Sequence, residues 1–246
     1  MSEFAVIIPA AGASSRFSGF RKKKPFVDLK GRAIWLRTVE HFVNRDDVTE
    51  VVLVLAEEDL NDFREQFRPN LAFMDILIAK GGASRAESVR NGMRALTKPS
   101  DFIAVHDAAR PLLTKTWISQ IFEAARQKHA VIPGVPVSST VKKVNAEGAI
   151  TGTVDRNQLM LAQTPQVFRR RILEQAYQAA PDPSVFTDES SLVEASGQTV
   201  FVHAGWPMNI KITTPQDFEL AEAFIGALPV EGGLPDLRPF GHERFR

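Results

Sequence analysis

Residues 4–16 read FAVIIPAAGASSR. Phe4 to Ile8 is a continuous apolar run, too short for a helix and rich in β-branched residues, so it reads as a strand buried on both faces. Pro9 stops it, and Ala10, Ala11, Gly12, Ala13, Ser14 and Ser15 lead to Arg16. Working outward, the same signal recurs at Val51-Val52-Leu53-Val54-Leu55, Ile76-Leu77-Ile78 and Phe102-Ile103-Ala104-Val105. Helical stripes lie between and after these runs. Ser84 with Glu87 matches a capping box ahead of Val89, Met93 and Leu96. Trp117, Ile118, Ile121, Phe122 and Ala125 form a stripe after Thr116, and Thr214, Pro215 and Asp217 open a helix that points Phe218, Ala221, Phe224 and Ile225 inward. Strands alternating with helices predict an α/β fold with a mostly parallel sheet.

One segment breaks the rhythm. Between Val135 and Val167 the extended pieces Val137–Val144 and Ile150–Val154 flank Asn145-Ala146-Glu147-Gly148, which predicts a hairpin projecting from the sheet. A chain of 246 residues suits one large domain, here 1–228. The stretch 229–246 carries six Pro or Gly and little periodicity, so a loose tail is expected. Lys+Arg 30 against Asp+Glu 29 gives a net charge of +1, so no global field favours nucleic acid or an anionic membrane. The absence of cysteine excludes disulfides, thiolate-held metals and thiol catalysis. MSEFAVIIPAAG lacks a basic leader segment and no apolar run approaches the ~18 residues of a membrane span, so a cytoplasmic protein is expected.

Three strand ends carry chemistry. Small residues after the first strand let a backbone approach a ligand closely, and its free N–H groups can cradle phosphate oxygens. By itself such a loop is more often a tight turn. Arg16, Arg21, Lys22, Lys23 and Lys24, five cations within nine residues, favour a polyphosphate ligand, while a nucleic-acid patch or a solvated charged face stays open. The loop is neither a Walker A motif nor a dinucleotide fingerprint. Gly81-Gly82-Ala83-Ser84-Arg85-Ala86-Glu87-Ser88 is again strand end, glycine pair and helix start; capping explains Ser84 and Glu87 but not Arg85 or Ser88. In Val105-His106-Asp107-Ala108-Ala109-Arg110-Pro111, an aspartate at a strand's carboxyl end suits Mg²⁺, which takes few protein ligands and completes its shell with water and phosphates. Asp107 as a turn residue paired with Arg110, and His106 as a core histidine, are the plainer alternatives. Asp155-Arg156-Asn157, Thr164-Pro165-Gln166 and Asn209-Ile210-Lys211-Ile212-Thr213 add polar residues without periodicity. Arg16, Lys24, Arg85, Arg110, Arg156 and Lys211 against one strand-end acid fit a multiply anionic substrate, charge stabilisation and no covalent nucleophile.

The series PAAGASSR, KPF, GGASRAESV, VHDAARP, TVDRN, TPQ, TDE and NIKIT, in this order over residues 4–225, resembles the 2-C-methyl-D-erythritol 4-phosphate cytidylyltransferase family. The resemblance implies a Rossmann-like sheet of the nucleotide-diphospho-sugar transferase type, with a protruding β-arm, about 138–161, that builds a homodimer. It implies transfer of CMP from CTP to methylerythritol phosphate, with Mg²⁺ and release of pyrophosphate, in non-mevalonate isoprenoid synthesis. Arg16 and Lys24 would stabilise charge on the α-phosphate, Asp107 would hold Mg²⁺, and Arg156 and Lys211 would aim the acceptor's phosphate. Ala10, Ala11, Gly12, Gly82, Arg85 and Ser88 would line the nucleotide pocket; Arg110, Thr140, Thr164 and Thr187 would bind the acceptor. Ser14, Ala83 and Met208 depart from the family pattern, and Lys23 competes with Lys24 by spacing. The same chemistry on another alcohol phosphate such as ribitol 5-phosphate, and a non-catalytic nucleotide-binding protein, are the alternatives. No nucleic-acid or membrane partner is expected.

Overall fold

The computed structural model describes residues 3–12 and 23–229. Arg16, Ser14, Arg21, Lys22 and nearly all of the stretch from 229 to 246 lie outside the described residues. In chain order, β1 (Phe4–Pro9) is followed by a small ribbon of β2 (Asp28–Leu29) and β3 (Arg32–Ala33), then α1 (Ile34–Val43) and β4 (Val48–Leu55). Two short helices, α2 (Leu60–Gln66) and α3 (Arg68–Phe73), lead to β5 (Leu77–Lys80), α4 (Arg85–Ala95) and β6 (Phe102–Val105). Next come α5 (Lys115–Lys128), β7 (Ala130–Pro136), the ribbon β8 (Val141–Val144) and β9 (Ile150–Val154), then β10 (Met160–Ala162) and β11 (Gln166–Arg169). The chain closes with α6 (Arg170–Ala179), α7 (Glu189–Ala195), β12 (Phe201–Ala204) and α8 (Pro215–Ile225).

Eight strands form one sheet in the order β10-β7-β11-β6-β1-β4-β5, with β12 beside β7. β4, β5 and β6 run parallel to β1 through their pairings, and β12 runs parallel to β7; β10 and β11 are reversed. The period-2 geometry of a strand sends alternate residues to opposite faces. Phe4, Val6, Ile8, Val51, Leu53 and Leu55 therefore meet α1, α2 and α5 on one side. Ile7, Val52, Val54, Ile103 and Val105 meet α4, α6 and α7 on the other. Helices on both faces are why these strands read as unbroken apolar runs.

The strands at 4–9, 48–55 and 102–105 are buried as their sequences predict. The third run differs. β5 is an edge strand paired only with β4, and Leu77 and Ile78 are half-buried. Thr114, not Thr116, caps α5, its hydroxyl accepting from Trp117 N at 3.1 Å; the inward stripe is the expected one. The expected hairpin around Asn145–Gly148 is the ribbon β8–β9, starting at Val141 rather than Val137. At α8 the reciprocal cap is complete: Thr214 accepts from Asp217 N, and Asp217 accepts from Thr214 N at 2.8 Å.

β1 sits between β4 and β6, so the chain leaves it in opposite directions on its two sides. That is a topological switch point, where open α/β sheets take ligands beyond their strands' carboxyl ends. Helix α4 is held against this point by Gly92: a β-carbon there would lie 2.6 Å from Ile7 Cγ2 and 3.0 Å from Val54 Cγ2. Replacing Gly92 by Val is expected to lift α4 and cost about 1–3 kcal/mol, the usual scale for overpacking. A lower urea midpoint with an unchanged m-value is the signature to look for.

Candidate functional site

Three strand ends build a cavity of about 340 Å³. After β1, Pro9 to Gly12 form one wall, with Ala10 tied by its N–H to Val54 O at 2.8 Å. After β5, Gly81 must be glycine, since a β-carbon there would lie 2.5 Å from Ala11 Cβ. The two loops therefore touch backbone to side chain, and no larger residue fits between them.

Gly82, Ala83, Ser84, Arg85 and Ser88 continue the wall into the first turn of α4. Ser84 accepts from Glu87 N at 3.1 Å, but the Glu87 carboxylate accepts from Ala83 N at 2.8 Å, so the expected capping box is displaced by one residue. The exchange satisfies an extra loop N–H. Ser88 ties the turn together, accepting from Gly82 N at 3.1 Å and donating to Ser84 O at 2.9 Å.

Asp107 follows β6 at the cavity's floor and is its only acidic lining residue among the described residues, whereas Lys24, Arg85 and Lys211 also line it. Lys211 Nζ lies 2.8 Å from Asp107 Oδ2, Arg85 Nη2 3.3 Å from Oδ1, and Arg110 Nε 3.5 Å from Oδ2. Burial pushes the Asp107 carboxyl up, but Arg85, Lys211 and Arg110 together outweigh it and hold the group well below the usual carboxylate range. Arg85 is further gripped by Glu189, whose two oxygens both lie 2.8 Å from Nη1. Burial opposes the Arg85 charge, yet Glu189 and Asp107 keep it protonated above its ordinary value.

Below the floor lies a polar network. The Asp107 N–H donates to Thr164 Oγ1 at 3.1 Å, and Thr164 Oγ1 lies 3.0 Å from His106 Nδ1. His106 Nε2 lies 3.0 Å from Arg110 O, a carbonyl that can only accept. The ring therefore carries its proton on Nε2, and the threonine hydroxyl donates to Nδ1. Full burial lowers the His106 pKa to about 3, so the ring is neutral. Asn209, fully buried, donates to Thr164 O at 2.9 Å while its backbone carbonyl accepts from Arg110 Nη1 at 2.7 Å. Ile212 N donates to Ala109 O at 2.9 Å, so Lys211 is carried between two anchored neighbours.

Of the residues singled out by sequence, Ala10, Ala11, Gly12, Lys24, Gly82, Arg85, Ser88, Asp107 and Lys211 meet at this cavity. Lys23 instead pairs with Glu58 at 2.9 Å and Asp59 at 2.8 Å. Arg110 and Thr164 sit beneath the cavity rather than in its lining. Thr140, Arg156 and Thr187 are exposed and line none of it; Arg156 donates to Ser138 O across the base of the hairpin. The sequence assigns no role to Glu189 or Asn209, although both stand inside quoted motifs, TDE and NIKIT.

Small-residue loops at a switch point, a helix start and converging cations define an α/β protein built to take a multiply anionic ligand. The sequence model of a known family, 2-C-methyl-D-erythritol 4-phosphate cytidylyltransferase, matches residues 4–227. The enzyme of that name from Syntrophus aciditrophicus is 37% identical over 221 residues, covering 89% of this chain and 94% of the relative. That from Bacillus licheniformis is 38% identical over 225 residues, covering 91% and 96%. The crystal structure of the Thermus thermophilus enzyme superposes with a TM-score of 0.71 at 30% identity, covering 90% of this chain and 98% of that one. The chain belongs to the 2-C-methyl-D-erythritol 4-phosphate cytidylyltransferase family.

His106 has a consequence for stability. Its native pKa, about 3, lies below the unfolded value of 6.5, so only the unfolded chain binds that proton between these limits. The contribution is whole above pH 6.5 and falls as pH drops, by up to about 1.4 kcal/mol per pH unit. His106→Asn should flatten the pH dependence of the urea-derived stability between about pH 6 and 4 by about one proton.

Proposed function

We propose that this chain transfers CMP from CTP to 2-C-methyl-D-erythritol 4-phosphate, releasing pyrophosphate, as a step of non-mevalonate isoprenoid synthesis. Family membership supports the reaction. The observation that carries the chemical reading is the convergence of Lys24, Arg85 and Lys211 on a cavity that, among the described residues, holds one carboxylate, Asp107. In this reading an acceptor phosphate oxygen attacks the α-phosphorus of CTP, the bond to the β-phosphate's bridging oxygen breaks, and pyrophosphate leaves with that electron pair. The attacking group is already an anion, so no general base is required, and catalysis is positioning plus charge stabilisation. Lys24, with Arg16, neutralises charge building on the α-phosphate. Lys211 directs the acceptor's phosphate. The backbone of Ala10 to Gly12 and of Gly82, with Ser88, holds the nucleotide, and the tight wall selects a pyrimidine by size. The cytoplasm, where nucleoside triphosphates are kept, is the matching location; among the described residues no helix is long and apolar enough to cross a membrane.

Mg²⁺ is part of the proposal. Among the described residues no group of three or more His, Cys, Asp or Glu is placed to hold a metal. A resident ion does not suit that donor set, but an ion coordinated chiefly by phosphates and water does, with Asp107 as the protein's ligand. Three cationic groups within 3.5 Å of Asp107 disfavour a bare cation, so Asp107 would hold one only alongside the nucleotide's phosphates. When bound, it neutralises the charge shared by the CTP phosphates.

A homodimer through the arm completes the proposal. Val144, Ile150, Leu159, Met160 and Leu161, all within the segment 144–161, supply five of the ten large apolar side chains left exposed among the described residues, and a second copy packed on that segment would cover them. Thr140 and Arg156 ride on the same segment, away from their own cavity, and reach the acceptor across that interface.

Pyrophosphate release, with CTP, UTP, ATP and GTP each crossed with methylerythritol 4-phosphate and ribitol 5-phosphate, should be confined to CTP with the first acceptor. A better rate with ribitol phosphate would change the pathway and keep the mechanism. Lys24→Ala should lower turnover by about 10²–10³, the scale of one lost transition-state donor, and Lys23→Ala should leave it near normal. Sedimentation should show a dimer, and mixing inactive Lys24→Ala and Arg156→Ala proteins should restore part of the activity, because each mixed dimer holds one intact site. No recovery on exchange of subunits would place Arg156 in its own chain's site.

A further inference from the structure

Glu189 has no part in the reaction as proposed, yet it is the tightest constraint on Arg85. It opens α7, is 1% exposed, and places both oxygens 2.8 Å from Arg85 Nη1. The buried Tyr177 hydroxyl donates to its Oε1 at 3.3 Å, fixing the carboxylate from α6. What remains for Asp107 is Arg85 Nη2 at 3.3 Å, a single long contact. A guanidinium and a carboxylate free to approach close into a two-bond fork. That fork does not form here, because one of its terminal nitrogens is engaged by Glu189.

We infer that Glu189, steadied by Tyr177, is a positioning residue that holds Arg85 back from Asp107 and so keeps the Asp107 carboxylate open to the cation accompanying the nucleotide. Arg85 then lies along the cavity wall, able to face phosphate oxygens, and Asp107 retains lone pairs on Oδ1. Without Glu189 the guanidinium swings onto Asp107 and occupies them. The inference deepens the Mg²⁺ reading and rests on it.

The test measures CTP dissociation constants by calorimetry, with Mg²⁺ and with EDTA, and takes their ratio. A ratio well above one in the unaltered protein, falling to about one in Asp107→Asn, is the baseline; a ratio of one in the unaltered protein overturns the cation reading and this inference with it. On that baseline Tyr177→Phe, which keeps the ion pair, should reduce the ratio about threefold, and Glu189→Gln about tenfold, from the loss of one neutral and one charged hydrogen-bond partner respectively. The double variant Arg85→Gln with Glu189→Gln should return the ratio to within about twofold of the original while binding CTP more weakly in both conditions, since a neutral amide neither pairs ionically with Asp107 nor forms the guanidinium's two-bond fork. A merely structural Glu189 would weaken CTP equally with and without Mg²⁺. Unchanged ratios, or a double variant no better than Glu189→Gln, overturn the proposal. If Glu189→Gln does not fold, Tyr177→Phe decides alone, and an unaltered ratio there overturns it.

Discussion

Arg85, Arg110 and Lys211 come from three distant segments and meet at the carboxylate of Asp107, within 3.5 Å of it. Three positive groups so close together, and partly withdrawn from water, repel one another. The carboxylate is what allows them to share the space before any anionic ligand arrives. Asp107 in turn owes its position to the threonine and histidine beneath it, which hold its backbone through a hydroxyl whose own proton is already committed. The cation cluster is thus assembled from below, by a neutral polar network, and exposed above to the cavity. A triphosphate can take over the balancing role and bring more negative charge than one aspartate supplies.

The parts of the fold that could be read from the chain were those decided locally. A run such as Phe4–Ile8 has no polar residue to spare for solvent, so its burial on both faces is written into it. The small residues after β1 and β5 are legible for a similar reason: where Gly81 meets Ala11, no other residue fits. Position within the sheet was not legible. Ile76 to Ile78 looks like the other apolar runs, yet β5 lies at the edge, because pairing is settled by the whole topology rather than by the strand's composition.

The site divides the same way. Strand-end loops announce themselves; of the two adjacent lysines, Lys24 lines the cavity while Lys23 pairs with Glu58 and Asp59, a division only the folded chain displays. Glu189 gave no local sign of its role. Its partner is 104 residues away, and the Asp188 beside it has the ordinary task of capping a helix. In the TDE motif the eye falls on Thr187, which is exposed, while the glutamate two places on is buried against Arg85. Arg110 shows the converse: an arginine in a conspicuous motif whose Nε faces Asp107 while its outer nitrogens donate to backbone carbonyls below the cavity.

The wall formed by Ala10, Ala11, Gly12 and Gly82 carries almost no side chain and so consists mainly of peptide groups. Main-chain groups cannot be deleted by exchanging one amino acid for another, and the contact between Gly81 and Ala11 leaves no room for bulk. An inhibitor that binds through those peptide groups would meet a target with few escape substitutions. One that relied on the side chains at Ala83 or Thr187 would be lost far more easily.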